Sequence, residues 1–116
     1  MTLNRLDAVF HALADPTRRG ILEQLAAGDR TVNELYNQFA ISQPAVTKHL
    51  QVLERAGLIS RRKKGRLRYS RARRDALGVP IQWIRRYTQL WTDRLDALEE
   101  LLADPAFRVE VARAKR

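Results

Sequence analysis

Apolar residues recur every three or four positions through most of the chain, which is the spacing of amphipathic α-helices. A first helix is predicted where this spacing holds over Leu3, Leu6, Val9, Phe10 and Leu13. Asp15 is the predicted N-cap and Pro16 the first residue of a second helix, which ends at Gly28. Two short amphipathic helices are therefore expected to open the chain.

The stretch from 31 to 56 predicts two more short helices with a tight turn between them. Thr31 and Glu34 have the spacing of a capping box at the start of the first. Ser42 can cap the second, with Pro44 in its first turn, where Pro is tolerated. The side of this second helix opposite Val46, Leu50 and Leu53 is polar and carries Gln43, Thr47, Lys48 and Gln51. The pair fits a helix-turn-helix motif, whose second helix enters the DNA major groove, and a plain helical hairpin fits this stretch equally well.

A strongly basic segment follows and alternates like a β-hairpin. Gly57 is the predicted residue just past the preceding helix, and a first run leads from Leu58 to Gly65. A second run, 67–70, alternates apolar and basic positions. From Arg55 to Arg74 there are ten Lys or Arg residues and no Asp or Glu. Because so many like charges oppose folding unless a polyanion neutralises them, this hairpin is predicted to face phosphates. The alternative is a flexible basic loop without a partner.

Three segments of the chain resemble the ArsR/SmtB family of bacterial winged-helix transcriptional repressors. They read ALADPTRRGILEQL at 12–25, SQPAVTKHLQVLERAGLI at 42–59 and RRKKGRLRYSR at 61–71, and the resemblance covers about residues 5–103. It implies a mainly α fold with a small β-hairpin wing, in a dimeric winged helix-turn-helix architecture. It also implies a homodimeric repressor that binds double-stranded DNA at a near-palindromic operator.

The predicted DNA contacts divide between the recognition helix and the wing. Base contacts are expected from Gln43, Pro44, Thr47 and Lys48. Contacts to the DNA backbone are expected from Arg18, Ser42, His49, Arg62, Lys63, Lys64, Arg66 and Arg68. Arg18 and Arg19 lie in the first turn of the second helix, where cations oppose the helix dipole, so an outside anion would explain at least one of them. An ordinary surface arginine is an equally good interpretation, and His49 is expected to pack or to touch a phosphate.

A long helix of about 24 residues is predicted from Pro80 to Ala103. It carries a heptad seam at Ile81, Ile84, Thr88, Trp91, Leu95, Leu98 and Leu102. A second apolar stripe beside the seam consists of Trp83, Tyr87, Leu90, Ala97 and Leu101. Because a small domain can cover only one stripe, we expect one to pack on the parent domain and the other on a second subunit. The alternative is that both stripes are internal core.

The first helix is expected to share this subunit contact. The predicted dimer interface contains Leu3, Leu6, Phe10, Ile84, Trp91, Leu95 and Leu98, and which stripe of the long helix faces the partner stays open. Residues 1–104 are predicted to form one DNA-binding domain with terminal dimerisation helices, and 105–116 a basic, frayed tail.

Composition narrows the class of protein. A chain of 116 residues predicts one domain, and a net charge of +9 with a pI near 11.0 favours a nucleic-acid partner over an anionic membrane surface. No apolar run approaches the ~20 residues that span a membrane, and the N-terminus is too charged for a signal peptide, so we expect a cytoplasmic protein. The absence of cysteine excludes disulfides and a thiol redox switch.

We expect the protein to bind no metal or other cofactor and to have no catalytic activity. Metal sensors of the resembled family use paired cysteines on the first helix of the motif, or His and carboxylates on the terminal helix. Here the segment from Glu34 to Phe39 has no thiol, the terminal helix has no His, and the two histidines are isolated. Catalytic motifs are also missing, so the protein is predicted not to be an enzyme. The sequence identifies no small-molecule effector.

One rival function uses the same positive charge. A nonspecific RNA-binding or nucleoid-associated protein would bind through charge and shape alone. Only one aromatic residue, Tyr69, lies in the basic segment, so a stacking platform for single strands is missing. The polar side chains of Gln43, Thr47 and Lys48 can hydrogen-bond base edges and favour sequence-specific DNA binding.

Overall fold

The computed structural model describes the backbone of residues 2–114 and the side chains of residues 5–114. Its elements in chain order are α1 (Thr2–Leu13), α2 (Pro16–Ala26), β1 (Arg30–Thr31), α3 (Val32–Tyr36), α4 (Gln43–Arg55), β2 (Ile59–Lys64), β3 (Leu67–Ala72), a 3₁₀ turn (Arg74–Leu77), α5 (Gly78–Ala103) and α6 (Pro105–Ala114). The chain divides into two compact units, Met1–Pro80 and Ile81–Arg116. The first unit has the order of a winged helix-turn-helix, so the predicted mainly α fold is confirmed.

The three predicted helix caps are all present. The Asp15 carboxylate accepts from the backbone N–H of Arg18 at 3.0 Å, and the Ser42 hydroxyl accepts from that of Ala45 at 3.3 Å. Thr31 and Glu34 form the reciprocal capping box, in which each side chain accepts from the other residue's backbone N–H. Local sequence therefore sets where α2, α3 and α4 begin.

A Schellman motif ends α4 and directs the chain into the wing. The N–H of Leu58 donates to the carbonyl of Leu53 at 3.0 Å, and the N–H of Gly57 donates to that of Glu54 at 3.0 Å. Gly57 has a φ of 78°, which favours glycine at this position. Leu53 and Leu58 are both buried, so the helix end is also held by apolar packing.

The core of the first unit lies between its helices and the base of the sheet. Its fully or nearly fully buried apolar residues are Val9, Ala12, Ile21, Leu25, Leu35, Val46, Leu50, Leu53, Ala56, Leu58 and Ile59. The predicted buried face of α4 is thus confirmed. Val32 and Phe39 are only partly buried against this core. A Cβ added to Gly20 would lie 2.8 Å from the Phe39 ring, so a larger residue at this position of α2 would force the ring or the helix to shift.

The sheet contains one strand more than the sequence predicted. β2 and β3 form the expected antiparallel hairpin, and the short β1 pairs with the far edge of β3, giving the order β1-β3-β2. The hairpin tip is Gly65-Arg66, and Gly65 has a φ of 65° with no positive φ at Arg66, the pattern of a type II′ turn. Two residues of β1 carry no periodicity of their own, so its pairing could not be predicted.

The terminal region differs from expectation in its last residues. Residues predicted as a frayed tail form α6, Pro105–Ala114. Every large apolar side chain of α5 after Pro80 is exposed in the single chain, from 41% at Ile81 to 61% at Leu90. Which stripe packs on the parent domain and which on a second subunit stays a prediction. None of the helices in the described part of the chain is both long and apolar enough to cross a membrane.

Candidate nucleic-acid interface

The start of α4 presents the predicted base-reading side chains. Ser42, the N-cap, and Gln43 and Pro44, the first two residues of the helix, are all exposed. One turn further, Lys48 is exposed and Thr47 is half-buried. The first two turns of α4 therefore bring together the four base-contact candidates on the side opposite the core. Their contacts with DNA stay a prediction.

Gln43 has a partner that sequence reasoning missed. Its Nε2–H donates to Oδ1 of Asn33, an exposed residue in the first turn of α3. The two residues are ten positions apart and belong to different helices, so no local pattern signals the contact. The packing of α3 on α4 creates it.

Arg18 is used differently from the prediction of a phosphate contact. Its Nε donates to the carbonyl of Ala12 at 2.8 Å and its Nη2 to that of His11 at 2.9 Å. Arg19 donates through Nη1 to the carbonyl of Leu13 at 2.8 Å. These carbonyls end α1, where a helix favours cations, so the basic first turn of α2 serves the last turn of α1. A DNA contact of Arg18 stays a prediction.

The wing cations lie on two opposite faces of the hairpin, because side chains alternate along a strand. Lys63 pairs directly with Arg68, and further down the same face are the buried residues Ile59 and Ser70. The opposite face pairs Arg62 with Tyr69 and Lys64 with Leu67, and Arg66 lies at the tip. The predicted backbone-contact cations of the wing are all exposed, but they do not form a single surface.

The base of the wing is held by an ion pair. Asp29, just before β1, accepts three hydrogen bonds from Arg71 of β3. Nε donates to Oδ1 at 3.1 Å and to Oδ2 at 3.2 Å, and Nη2 donates to Oδ2 at 2.9 Å. This bidentate contact holds the pKa of the Asp29 carboxyl below its usual value. Asp29 is the carboxylate of a pocket of about 420 Å³ whose other lining residues are Ser60, Arg62, Lys64, Tyr69 and Arg71.

Most of the wing charge has no counter-ion among the residues that the structure describes. Among the described residues, the salt bridges are Arg71 with Asp29 and Arg73 with Asp75. Neither involves the cations nearest the tip, which are Arg62, Lys63, Lys64, Arg66 and Arg68. Clustered exposed cations without carboxylate partners attract a polyanion such as the DNA backbone.

The two histidines lie on different helices. His11 is exposed on α1 and His49 is half-buried on α4. Within the part of the chain that the structure describes, no group of three or more potential metal ligands comes together.

The residues predicted for the dimer interface differ in exposure. Leu6 is half-buried, Phe10 is 36% exposed, and Ile84, Trp91, Leu95 and Leu98 are 48–60% exposed. The Leu3 side chain lies outside the described residues.

Comparison with known proteins identifies the family. The family model "Helix-turn-helix domain" matches residues 13–62. The transcriptional repressor SdpR of Bacillus subtilis is 38% identical over 79 residues, which are 68% of this chain and 88% of SdpR. The structure of an ArsR-like transcriptional regulator from Rhodococcus sp. RHA1 superimposes with a TM-score of 0.73 at 33% identity, over 85% of this chain and 93% of that one.

A third similarity concerns a dimeric protein. The homodimeric winged helix-turn-helix DNA-binding domain of Mb0332 from Mycobacterium bovis, a possible ArsR-family regulator, superimposes with a TM-score of 0.61 at 28% identity, over 76% of this chain and 83% of that one. These three relatives are described as transcriptional regulators, a class of protein that is not enzymatic. With its wing, its helix-turn-helix and these relatives, the chain belongs to the ArsR/SmtB family of winged helix-turn-helix transcriptional regulators.

Proposed function

We propose that this protein represses transcription as a homodimer that binds a near-palindromic operator in double-stranded DNA. Membership of the family makes it a DNA-binding transcriptional regulator. The observation that carries the finer proposal is the exposed start of α4, with Gln43 and Lys48 beside the wing. The cations at the tip of that wing form no salt bridge within the described part of the chain. In this arrangement α4 reads the base sequence and the neighbouring wing binds phosphates.

In this proposal α4 enters the major groove by its N-terminal end. Gln43, Thr47 and Lys48 then reach base edges, and Pro44 makes apolar contact there. Ser42 and His49 flank these residues on the phosphate side. The buried face of α4, which includes Val46 and Leu50, keeps the helix fixed on the core while its polar face meets DNA.

The wing supplies contacts to the DNA backbone. β2 contacts α4, and the face of the hairpin that carries Ile59 packs on the helices. Lys63 and Arg68 lie on this same face, further toward the tip. We therefore propose that DNA bound to α4 lies nearer to Lys63 and Arg68 than to Arg62 and Lys64, and we assign the main phosphate contacts of the wing to that pair.

Exposed apolar surface supports the homodimer. α5 presents a row of large apolar side chains at 48–60% exposure that includes Ile84, Trp91, Leu95 and Leu98. Apolar surface of this extent on a soluble regulator marks a contact with another protein. A second copy is the occupant we propose, because a near-palindromic operator requires two-fold symmetry and the Mb0332 domain is homodimeric. We propose that Leu6 and Phe10 of α1 also contact the partner subunit.

The nonspecific RNA-binding or nucleoid rival is not favoured, because the relatives are named as regulators and repressors of transcription. As a regulator of chromosomal genes, the protein is proposed to act in the cytoplasm. We propose no metal or other cofactor for DNA binding.

A footprint over the DNA upstream of this gene tests the proposal. We expect two protected half-sites separated by about one helical turn, or 10–10.5 base pairs, or a multiple of it. Gln43→Ala and Thr47→Ala should each cost about 1–3 kcal/mol on that site with little change on random DNA. Gln82→Ala is the matched control, because it removes an exposed glutamine side chain on α5, outside the helix-turn-helix and the wing. Uniform protection without sequence preference would instead support the nonspecific rival.

A further inference from the structure

The contact between Asn33 and Gln43 joins the two helices of the helix-turn-helix at the point nearest the proposed base contacts. Gln43 is the first residue of α4 and Asn33 the second residue of α3. Both side chains are exposed, so both are accessible to DNA. The Nε2–H of Gln43 donates to Oδ1 of Asn33, and this bond distinguishes the nitrogen end of the Gln43 amide from its oxygen end.

Both residues sit on rigid supports. The capping box between Thr31 and Glu34 holds the first turn of α3, which contains Asn33. Leu35 of α3 and Val46 of α4 are completely buried in the same core, so the two helices are fixed relative to each other. Side chains held by packed helices present their polar atoms in one geometry, which is what discrimination between bases requires.

The bond changes what Gln43 can offer to a base. A glutamine amide has two N–H donors and one carbonyl acceptor group. With one N–H given to Asn33, one donor and the carbonyl oxygen remain. In the major groove adenine presents one donor and one acceptor, whereas guanine presents two acceptors. The remaining groups of Gln43 therefore match adenine in a bidentate contact and cannot satisfy both acceptors of guanine.

We infer that Asn33 is a positioning residue that orients the amide of Gln43, and that the pair selects adenine at one position of each operator half-site. The inference rests on the proposed function of α4 as the recognition helix. Asn33 does not contact the base in this arrangement. It accepts the outer hydrogen of Gln43 Nε2 and leaves the hydrogen on the oxygen side for N7 of adenine, while the carbonyl accepts from N6.

Base preference at a single position is the direct readout. Operators are selected from a library of randomised duplexes, and binding is then titrated on pairs of duplexes that differ only by A·T or G·C at one position. The wild-type protein is expected to prefer A·T at that position by about tenfold or more. Asn33→Ala should lose most of this preference, because the freed amide can turn or donate both hydrogens. Its affinity for random duplex and its thermal midpoint should stay unchanged.

Two further variants control the test. Asn33→Asp keeps an acceptor at the same place and should retain the preference, even though its added charge weakens binding to all duplexes alike. Asn37→Ala removes another exposed amide four residues along the chain, at the C-cap of α3, and should retain the preference as well.

The outcomes separate this inference from the proposed function. If Asn33→Ala keeps the A·T preference while Gln43→Ala loses it, Gln43 reads the base unaided and the inference is wrong. The inference also fails if Asn33→Ala weakens every duplex equally with a lower thermal midpoint, which marks a purely structural role. If Gln43→Ala leaves all base preferences intact, Gln43 is not a base contact, although specific binding by the wild type still supports the repressor. Only a wild-type protein without any sequence preference would overturn the proposed function itself.

Discussion

Nη1 of Arg18, in the first turn of α2, lies 3.3 Å from Nδ1 of His49 in the middle of α4. Because a guanidinium can only donate, Nδ1 of His49 is the atom that can accept in this contact. The same guanidinium donates to two carbonyls at the end of α1. One side chain thus connects the helix proposed for dimerisation with the recognition helix.

We predict that Arg18→Ala destabilises the folded protein by about 2 kcal/mol, since it removes charge-assisted bonds from a partly buried site and leaves carbonyls of α1 unpaired. Chemical denaturation measures this loss. Arg19→Ala is the matched control and should cost less than about 1 kcal/mol, because it removes one bond from an exposed guanidinium. If Arg18→Ala left stability unchanged but lowered the salt dependence of DNA binding, a phosphate contact would be the better assignment.

Three carboxylates should make stability fall in acid. The pKa of Asp15 is lowered mainly by the backbone N–H of Arg18, that of Glu34 mainly by the backbone N–H of Thr31, and that of Asp29 mainly by the side chain of Arg71. A folded-state pKa below the unfolded value gives stability that is present above the unfolded pKa and is lost as the pH falls through the folded one. The unfolded values lie near 3.8 for Asp and 4.5 for Glu.

We therefore predict that the contribution of these three carboxylates to the free energy of unfolding is nearly constant from pH 5 to 7. It should fall progressively below about pH 4.5. Denaturation midpoints measured from pH 7 to pH 3 test it. Asp15→Asn keeps an N-cap acceptor but cannot titrate, so it should be nearly as stable as the wild type at pH 7 and lose less in acid. An Asp15→Asn variant with the full wild-type acid dependence would show that Asp15 contributes nothing to it.

Leu95 is predicted to lie in the homodimer interface. It is 60% exposed in the single chain, so a charge there costs the monomer little but cannot be accommodated in an apolar contact. Leu95→Asp should give monomers or insoluble protein, whereas the wild type should sediment as a dimer at micromolar concentration. Gln82→Asp, an equally acidic change at an exposed polar position of α5, should stay dimeric. A monomeric wild type would refute the dimer.

The wing should contribute affinity without sequence preference. Lys63→Ala/Arg68→Ala is expected to weaken operator and random DNA alike and to lower the slope of log affinity against log salt by about 0.9 per lost phosphate contact. Lys63 and Arg68 lie directly opposite each other on paired strands, where like charges repel. The double variant should therefore stabilise the free protein by roughly a few tenths of a kcal/mol.

Arg62→Ala/Lys64→Ala is the matched control for this prediction, because it removes the same charge from the opposite face of the hairpin. It should weaken DNA binding less. Equal losses from the two double variants would assign phosphates to both faces, and a loss confined to the operator would contradict the division between wing and recognition helix.

The sequence by itself determined the local elements and the class of partner. Asp15, Thr31 and Ser42 cap helices because their side-chain oxygens satisfy backbone N–H groups three residues away, which needs no tertiary structure. Periodicity likewise placed Val46, Leu50 and Leu53 in the core, and the run of ten cations without a carboxylate indicated a polyanion.

Only the tertiary structure decided which candidate site residues meet side chains of other elements. Asn33 reaches Gln43, Arg18 reaches His49, and Asp29 reaches Arg71 across ten, 31 and 42 positions respectively. These distances along the chain carry no periodic signal, since they depend on how separate elements pack. Strand pairing also decided how the wing charge is arranged. The basic run is continuous in the sequence, but its side chains lie on two opposite faces of the hairpin, because successive side chains of a strand point to opposite sides.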